Sequence, residues 1–445
     1  MKGAWFMKFR IPTVIALIAA GAALTLMLSA CSDDSGRETS PEEQYMLIYL
    51  DGHMHSVRSD GSGDVAQIKA TALNRGLNAV IVTDHCSGLT REKWDSLVAA
   101  TKAASDAAFL ALPGFEVTGN EGLLNRDHIL AWDAPTPFVD STSDMCPDEA
   151  WPSEANPGGY GTKQPENLTK WVDFIHSQGG IAVHAHPAGT TRLEYGVDDI
   201  EVFNQSQVDD IARYAKLGGY SDAEAADLAI MLGNFATYGG RDLEKPIPVP
   251  GRTDMLPAQQ MLKNLAGLVL GGSQAPLLSW DDLLMSYVEG RSGRPVLALA
   301  NTDAHNTGDP ASKVGVAKNG VLVKQLTADE VYAAVRAGRN FATTGPSLEF
   351  SVDGALMGET AHIGDAANLT IRANAEVAAA VIEKVDIIKN GEILKSISPG
   401  AATYEEELKD AVSGSGYYRI EVTAYDSSSD QRSYAWSNPI FFQTS

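Results

Sequence analysis

The chain has 445 residues, 44% of them hydrophobic and 20% charged. That is enough apolar material to bury a large core, and it excludes a disordered or fibrous protein; by length the chain holds two or three domains. A formal net charge of -23 disfavours polyanion binding through counterion release and argues against a nucleic-acid partner.

Residues 1–30 read as a targeting segment. Lys2, Lys8 and Arg10 give a basic start, and residues 11–27 form an uncharged apolar run. The run ends at Leu28, Ser29, Ala30 and Cys31, which resembles the lipobox of bacterial lipoproteins. The resemblance implies cleavage before Cys31 and acylation of its thiol. The folded part would then be held at a lipid bilayer of the cell envelope, facing the periplasm or the exterior, on the outer membrane if the source is Gram-negative. Each buried methylene adds ~0.8 kcal/mol, so more than one acyl chain makes such anchoring stable. The competing reading is an uncleaved transmembrane helix, for which the run is long enough. Residues 31–44 are polar and acidic and read as a flexible tether.

From residue 45 to about 345, short apolar runs alternate with amphipathic stretches, the pattern of a parallel sheet with helical crossovers. Strands are expected at 46–50, 79–82, 109–112, 129–132, 181–184, 200–203 and 296–300, and helices at 65–74, 93–107 and 167–178. Between about 205 and 293 the rhythm gives way to helical spacing with Gly and Pro punctuation and no strand candidate, which predicts a helical insertion. After Pro346 the texture becomes short alternating strands, with Asn390-Gly391 as a two-residue hairpin signal. Residues 346–445 are thus expected to form a β-sandwich domain.

Chemistry-bearing residues gather at the edges of these strands. His53 and His55 follow the first strand on one face of an extended segment, and Asp60 lies in a Gly-flanked turn that can fold back toward them. His85 and Glu116 stand just past the next two strands, and His128 opens the fourth. His184 and His186 share a face, as do Asp303 and His305. Only His176 and His362 lie outside these clusters. One such histidine is ordinarily a hydrogen-bonded structural residue; joint placement at strand edges instead points to ligands converging at one end of a barrel, with a two-oxygen carboxylate at Glu116 suited to bridging cations.

These motifs resemble the PHP (polymerase and histidinol phosphatase) superfamily. The resemblance implies a distorted (βα)7 barrel with two or three divalent metal ions at the carboxyl ends of its strands, and His and carboxylate donors accept Zn, Mn or Fe. His53, His55, Glu116 and Asp303 would hold the first metal, Glu116, His128 and His186 the second, and Asp60, His85 and His305 the third. His186 is preferred over His184 because the family carries a His-Pro pair, matched here by His186-Pro187; His184 is expected to support a ligand rather than be one. The run VRAGRNFATTGP and the terminal SNPIFF resemble the branch that includes carbaryl hydrolase.

The implied activity is hydrolysis of a small-molecule phosphate ester by a metal-bridging hydroxide. Glu116, Asp303 and His305 are the catalytic candidates, with Arg192 as a phosphate-gripping cation and Arg58 as a weaker one. Carboxyl, amide or carbamate ester hydrolysis at the same site remains an alternative, as does a binding lipoprotein that keeps its metals structurally. With Cys31 acylated, Cys86 and Cys146 are the only other cysteines, and an oxidising compartment permits a bridge between them.

Overall fold

The computed structural model describes residues 45–117, 128–139, 141, 146, 165–187, 196–217, 220–222, 225–226, 229, 246–248, 255–257, 280–309 and 311–444. The expected leader and tether, Cys31, Arg192 and most of the expected insertion lie outside them. Among the described residues no helix is long and apolar enough to cross a membrane.

The architecture is mixed α/β with a sheet-rich C-terminal region. Three parallel strands open it: β1 (Met46–Asp51), β2 (Ala79–His85) and β3 (Leu110–Val117), with Leu50 beside Ala79 and Ala79 beside Leu110. The β2 run AVIVTDH is buried at every position but its last, as a strand covered on both faces should be. On one face Val80 and Val82 pack with Ile68 of α1 (Val65–Asn74) and Trp94 and Leu97 of α2 (Arg91–Ala104), and on the other Ala79 and Ile81 meet Leu50, Leu130 and Val183. Asp64 and Gln67 close a capping box on α1, and Thr90 caps α2, so each helix start follows from a local side chain.

The fourth strand corrects the expectation of a parallel sheet. β4 (His128–Trp132) runs antiparallel both to β3 and to β5 (Ile181–Ala185), with Leu130 opposite Glu116 and His128 opposite Ala185. Residues 118–127 are too short a connection for the crossover that a parallel pair needs. The reversal has a functional consequence, because it brings the first residue of β4 to the end of the sheet where β2 and β3 finish. α3 (Pro165–Ser177) then leads into β5, followed by parallel β6 (Asp199–Asn204) and α4 (Gln205–Leu217). Within the expected insertion the described residues include a short antiparallel pair, β7 (Pro246–Pro248) and β8 (Met255–Pro257), where no strand was expected. Three-residue strands flanked by proline carry too little alternation to be read.

α5 (Trp280–Val288) precedes β9 (Leu297–Asn301), which pairs parallel with β6. β10 (Lys318–Val323) lies antiparallel to β1, and α6 (Ala328–Arg336) connects it to β11 (Asn340–Thr343). Side-chain amides draw β9 back beside β10 and β11. Asn319 accepts from the Ala300 N–H at 2.9 Å and donates to the Ala300 carbonyl at 2.8 Å, while Asn340 donates to the Ala298 carbonyl at 3.0 Å. Buried backbone groups that lack a ladder partner are thereby satisfied.

Two facing sheets form the C-terminal region. One holds β12 (Ser347–Val352), β13 (Ala355–Leu356), β15 (Ala366–Asn374) and β18 (Thr403–Ala411). The other holds β14 (Thr360–Ile363), β16 (Ala380–Lys389), β17 (Glu392–Ile397), β19 (Ser415–Asp426), β20 (Gln431–Ser437) and β21 (Ile440–Thr444). Phe350, Ile371, Ile387, Ile420 and Phe442 share one core between them. The β16–β17 hairpin turns at Asn390 and Gly391, both at positive φ, the conformation its tight turn demands. Because β20 pairs with β11, this sheet continues directly into the first one.

A buried ion cluster also joins the two regions. Arg419 of β19 is fully buried; it grips Asp281 of α5 through Nε at 2.7 Å and Nη2 at 2.6 Å, and reaches Glu421 at 2.6 Å. The Tyr417 hydroxyl donates to Asp281 at 2.6 Å, and the Trp280 ring lies 4.8 Å beneath the guanidinium. Arg419→Ala leaves two carboxylates buried without their cation. Urea denaturation should show it less stable by about 3–5 kcal/mol; a loss under about 1 kcal/mol would show the cluster to be peripheral.

Candidate metal centre

After β1 the chain stays extended. The His53 carbonyl accepts from Asp303 N–H at 2.8 Å, His55 N–H donates to the Ala304 carbonyl at 2.9 Å, and Thr83 N–H donates to the Met54 carbonyl at 2.8 Å. Alternation puts His53 and His55 on one side, while Met54 packs into the core on the other. Gly52 is required by close approach, since a β-carbon there would run into the Trp132 indole. The turn to Asp60 is closed by Ser59 and Gly61, whose N–H groups both donate to the Ser56 carbonyl.

Glu116 is the geometric centre. Its Oε2 lies 3.3 Å from Nε2 of His53, 3.3 Å from Nε2 of His55 and 3.1 Å from Nδ1 of His85. Its Oε1 lies 2.6 Å from Nδ1 of His128 and 3.2 Å from Nε2 of His186. Asp303 Oδ1 is 3.0 Å from His55, 3.3 Å from His53 and 3.5 Å from His305. Asp60 closes the outer edge at 3.7 Å from His55, 3.6 Å from His85 and 3.3 Å from His305. All nine residues singled out from the sequence as metal-binding candidates therefore lie in one cluster.

Three subsets are spaced to share an ion: His53, His55, Glu116 and Asp303; His55, Asp60, His85 and His305; and His85, Glu116 and His128. The first is the expected set. The second adds His55 to the expected one. The third has His85 where His186 was expected, although His186 meets the same Glu116 oxygen as His128.

Delivery of two residues differs from simple alternation. β5 ends at Ala185 and β9 at Asn301, and both His186 and Asp303 adopt positive φ, 28° and 52°. Left-handed backbone in non-glycine residues is strained and concentrates at functional sites. His184 is buried within β5 beside Ile129 and Ile200. Arg58 is held against α2 by hydrogen bonds to the Ser96 hydroxyl and carbonyl at 3.0–3.2 Å. His176 pairs with Asp198 at 2.8 Å, beside the start of β6, and His362 lies on β14.

Three buried carboxylates of the frame escaped the sequence reading. Asp51 accepts from the Thr302 hydroxyl at 2.6 Å and the Gly315 N–H at 3.0 Å. Asp84 accepts from Ser56 N–H, its hydroxyl and the Ser59 hydroxyl at 2.6–2.7 Å. Glu201 meets His53 Nδ1 at 2.9 Å and accepts from His186 N–H at 2.7 Å. The signal was present: each is an acidic residue inside or at the end of a largely apolar strand, at a buried position where charge is costly unless partnered.

Electrostatics explain how so many titratable groups coexist. Burial pushes the Glu116 carboxyl up, but the imidazoles of His85, His53 and His128 outweigh it and hold it well below the ordinary range. Burial works against a proton on His53, yet Asp303, Glu116 and Glu201 raise it well above the usual histidine value. His305 is pushed up to about 9, burial being overcome by Asp60 and Asp303. His85 and His128 are lowered, chiefly by burial. His53 Nε2, His55 Nδ1, His85 Nδ1 and Glu116 Oε2 are buried without a well-formed hydrogen bond among the described residues. Unmet buried polar atoms cost about 1–3 kcal/mol each. Six imidazoles and three carboxylates converging in this way fit divalent cations, which would give these atoms the partners they lack.

Cys86, next to His85, is disulfide-bonded to Cys146, with alpha carbons 5.4 Å apart. Cys86 N–H also donates to the Glu116 carbonyl at 2.8 Å, and Cys146 N–H to the Leu89 carbonyl at 3.0 Å. The bridge thus ties down the segment that presents His85.

The fold and cluster define a mixed α/β protein with a His/Asp/Glu site of metal-binding composition. No family model matches the chain. It is 27% identical over 139 residues to an uncharacterised protein of Chlamydia pneumoniae, and the match spans 22% of that protein's length. Among solved structures it is similar to a two-domain Bacteroides vulgatus protein containing a predicted PHP-like metal-dependent phosphoesterase, at 12% identity over 93% of this chain and 100% of that one, with a TM-score of 0.39. It is also similar to an amidohydrolase of Chromobacterium violaceum, at 19% identity over 39% of this chain and 82% of that one, TM-score 0.26. Part of the chain, 22%, is similar to fibronectin(III)-like modules of Clostridium thermocellum CbhA, at 26% identity, 93% coverage of that chain and TM-score 0.14.

Two outcomes follow from this geometry. The Cys86→Ala, Cys146→Ala double variant releases a 60-residue separation and should lose about 4 kcal/mol of stability by the loop-entropy relation, read from urea midpoints under oxidising conditions; an unchanged midpoint contradicts it. For protein stripped of metal by a chelator, the raised His305 contributes stability fully present below its usual value of 6.5 and lost as pH rises through about 9. His53 and His186, also raised, act with the same sign. Thermal midpoints of stripped protein should therefore fall from pH 6.5 to 9, while metal affinity rises as those protons leave.

Proposed function

We propose that this chain is a metal-dependent phosphoesterase of the PHP superfamily, acting on small-molecule phosphate esters. The observation that carries the reading is the convergence of nine ligand-type side chains around one buried carboxylate, Glu116. The curled sheet with its reversed β4 supports describing the first region as a distorted (βα)7 barrel, and the sequence likeness to the carbaryl-hydrolase branch supports including the C-terminal sheets in the same assignment.

His53, His55, Glu116 and Asp303 would hold one divalent ion, Glu116 with His128 and His186 a second, and Asp60, His85 and His305 a third. When bound, such ions acidify water, orient the ester and absorb charge on the attacked and leaving oxygens. The protein's own part is graded by depth. Glu116, His53 and His55 are fully buried, which fixes the floor of the site and excludes bulk water from it. Asp60 and His305 are its exposed edge, with side chains 53% and 39% accessible, so the ester enters from their side. Arg192 is the proposed phosphate-gripping cation.

Anchoring through acylated Cys31, with the folded part on the periplasmic or outer face of the envelope, completes the proposal. The reading includes no nucleic-acid partner, which a net charge of -23 disfavours.

Protein beginning at Ser32 should purify with two or three equivalents of Zn, Mn or Fe and hydrolyse members of a phosphomonoester and phosphodiester panel. His53→Ala and Asp303→Ala should each lower turnover by more than about 100-fold, beyond the loss typical of a ligand's supporting partner. Activity confined to carboxyl or carbamate esters would move the assignment from phosphorus to carbon. Metal loading with no hydrolysis on any panel would favour a binding lipoprotein.

A further inference from the structure

Glu201 makes four contacts that join four separate segments. Its Oε1 lies 2.9 Å from His53 Nδ1 and accepts from Asn301 Nδ2 at 2.9 Å. Its Oε2 accepts from the His186 N–H at 2.7 Å and from Asn204 Nδ2 at 2.7 Å. The side chain is fully buried, and all its neighbours in these contacts are buried as well.

Two of those contacts bear directly on the cluster. A carboxylate only accepts, so a hydrogen sits on His53 Nδ1 against Glu201, and it is the proton on Nε2, which faces Glu116 and Asp303, that an ion would displace to reach a lone pair there. The His186 N–H is the amide of a residue held at positive φ, and Gln207 grips the other side of the same turn by donating to the His186 carbonyl at 3.1 Å. Asn301 in turn accepts from the Gly52 N–H at 2.8 Å, which locks the residue before His53. One carboxylate therefore sets the tautomer of a histidine after β1 and the backbone of a histidine after β5.

We propose that Glu201 is a positioning residue of the metal centre: it aligns His53 and His186, which the proposed assignment gives to two different ions, so that ions at both are held in a fixed relation. This rests on the metallohydrolase reading above. Glutamine cannot replace it, because its single amide oxygen can serve only one of the two pairs of donors while its NH2 confronts the other. If the amide donates to His53 Nδ1, the tautomer inverts and Nε2–H points at the ion.

The test uses purified full chain, metal-stripped and reloaded with zinc. Chelator competition gives zinc affinity, and nitrogen-15 NMR of histidine-labelled protein gives the His53 tautomer, its signal identified by loss in His53→Ala. We expect Nδ1–H on His53 in the wild type, and in Glu201→Gln a zinc affinity lower by about 10- to 100-fold with loss of the Nδ1–H signal. A purely structural role would leave the tautomer unchanged. Glu201→Gln with wild-type affinity and tautomer overturns the proposal alone, whereas a wild type that binds neither zinc, manganese nor iron overturns the metallohydrolase reading with it. Should Glu201→Gln fail to fold, the wild-type spectrum decides: His53 protonated on Nε2 in the zinc-loaded protein is incompatible with the proposal.

Discussion

A carboxylate with no exposure to water, ringed by five imidazoles, is the arrangement on which this molecule depends. Removing Glu116 from water would protonate it, were the surrounding histidines not there to stabilise its charge. The histidines have the converse need, and His53 and His186 carry raised proton affinities because Glu116 and Asp303 face them. In the absence of ions, protons do part of the work of cations. Exchange of those protons for divalent ions keeps the charge balanced and satisfies the inward lone pairs that hydrogen bonds among the described residues leave unmet.

Such a cluster cannot hold its shape by its own attractions, because every member is also repelled by neighbours of its own sign. The surrounding frame supplies the rigidity. Asp51 fixes the 302 segment against the end of β1, and Asp84 fixes the turn that carries Asp60. Asn319 and Asn340 draw β9 against β10 and β11, setting the strand that delivers Asp303. The C-terminal sheets belong to the same frame: α5 leads into β9, and Arg419 clamps α5 to β19 through Asp281. Packing and polar bonding outside the cluster thus determine distances inside it.

Strand positions and the nine clustered residues were legible because both rest on local signals. β2 opens on the apolar run 79–82 and β5 on 181–183, and every candidate ligand except Asp60 lies in or within a few residues of such a strand. The Asn390-Gly391 hairpin was readable for the same reason, since its two positive-φ residues are specified by type. The direction of β4 was not, because alternation says nothing about whether a strand runs with or against its neighbour; only the short 118–127 connection hinted at it. Likewise, the regrouping of His85 with Glu116 and His128 follows from the lateral register of β2 and β3, where His85 stands beside Glu116. Asp51, Asp84 and Glu201 belong to no motif of their own and are marked only by being acidic residues in largely apolar strands, an anomaly that burial makes strong.

The backbone at His186 and Asp303 shows how the frame and the cluster are coupled energetically. Each occupies a left-handed conformation that costs a β-carbon-bearing residue of order 1–3 kcal/mol, and each is held there by a hydrogen bond from its own N–H. Asp303 N–H donates to the His53 carbonyl, and His186 N–H donates to Glu201. Both acceptors belong to the cluster or its immediate supports. An extended backbone at either position would keep strand alternation and remove the strain, but the next inward-facing side chain would then follow the strand axis instead of turning across the sheet end. The strain is therefore localised where side chains from separate strands must meet Glu116, and it is offset by contacts that exist only when the cluster is assembled. Assembly of the site and retention of its unusual backbone stand or fall together.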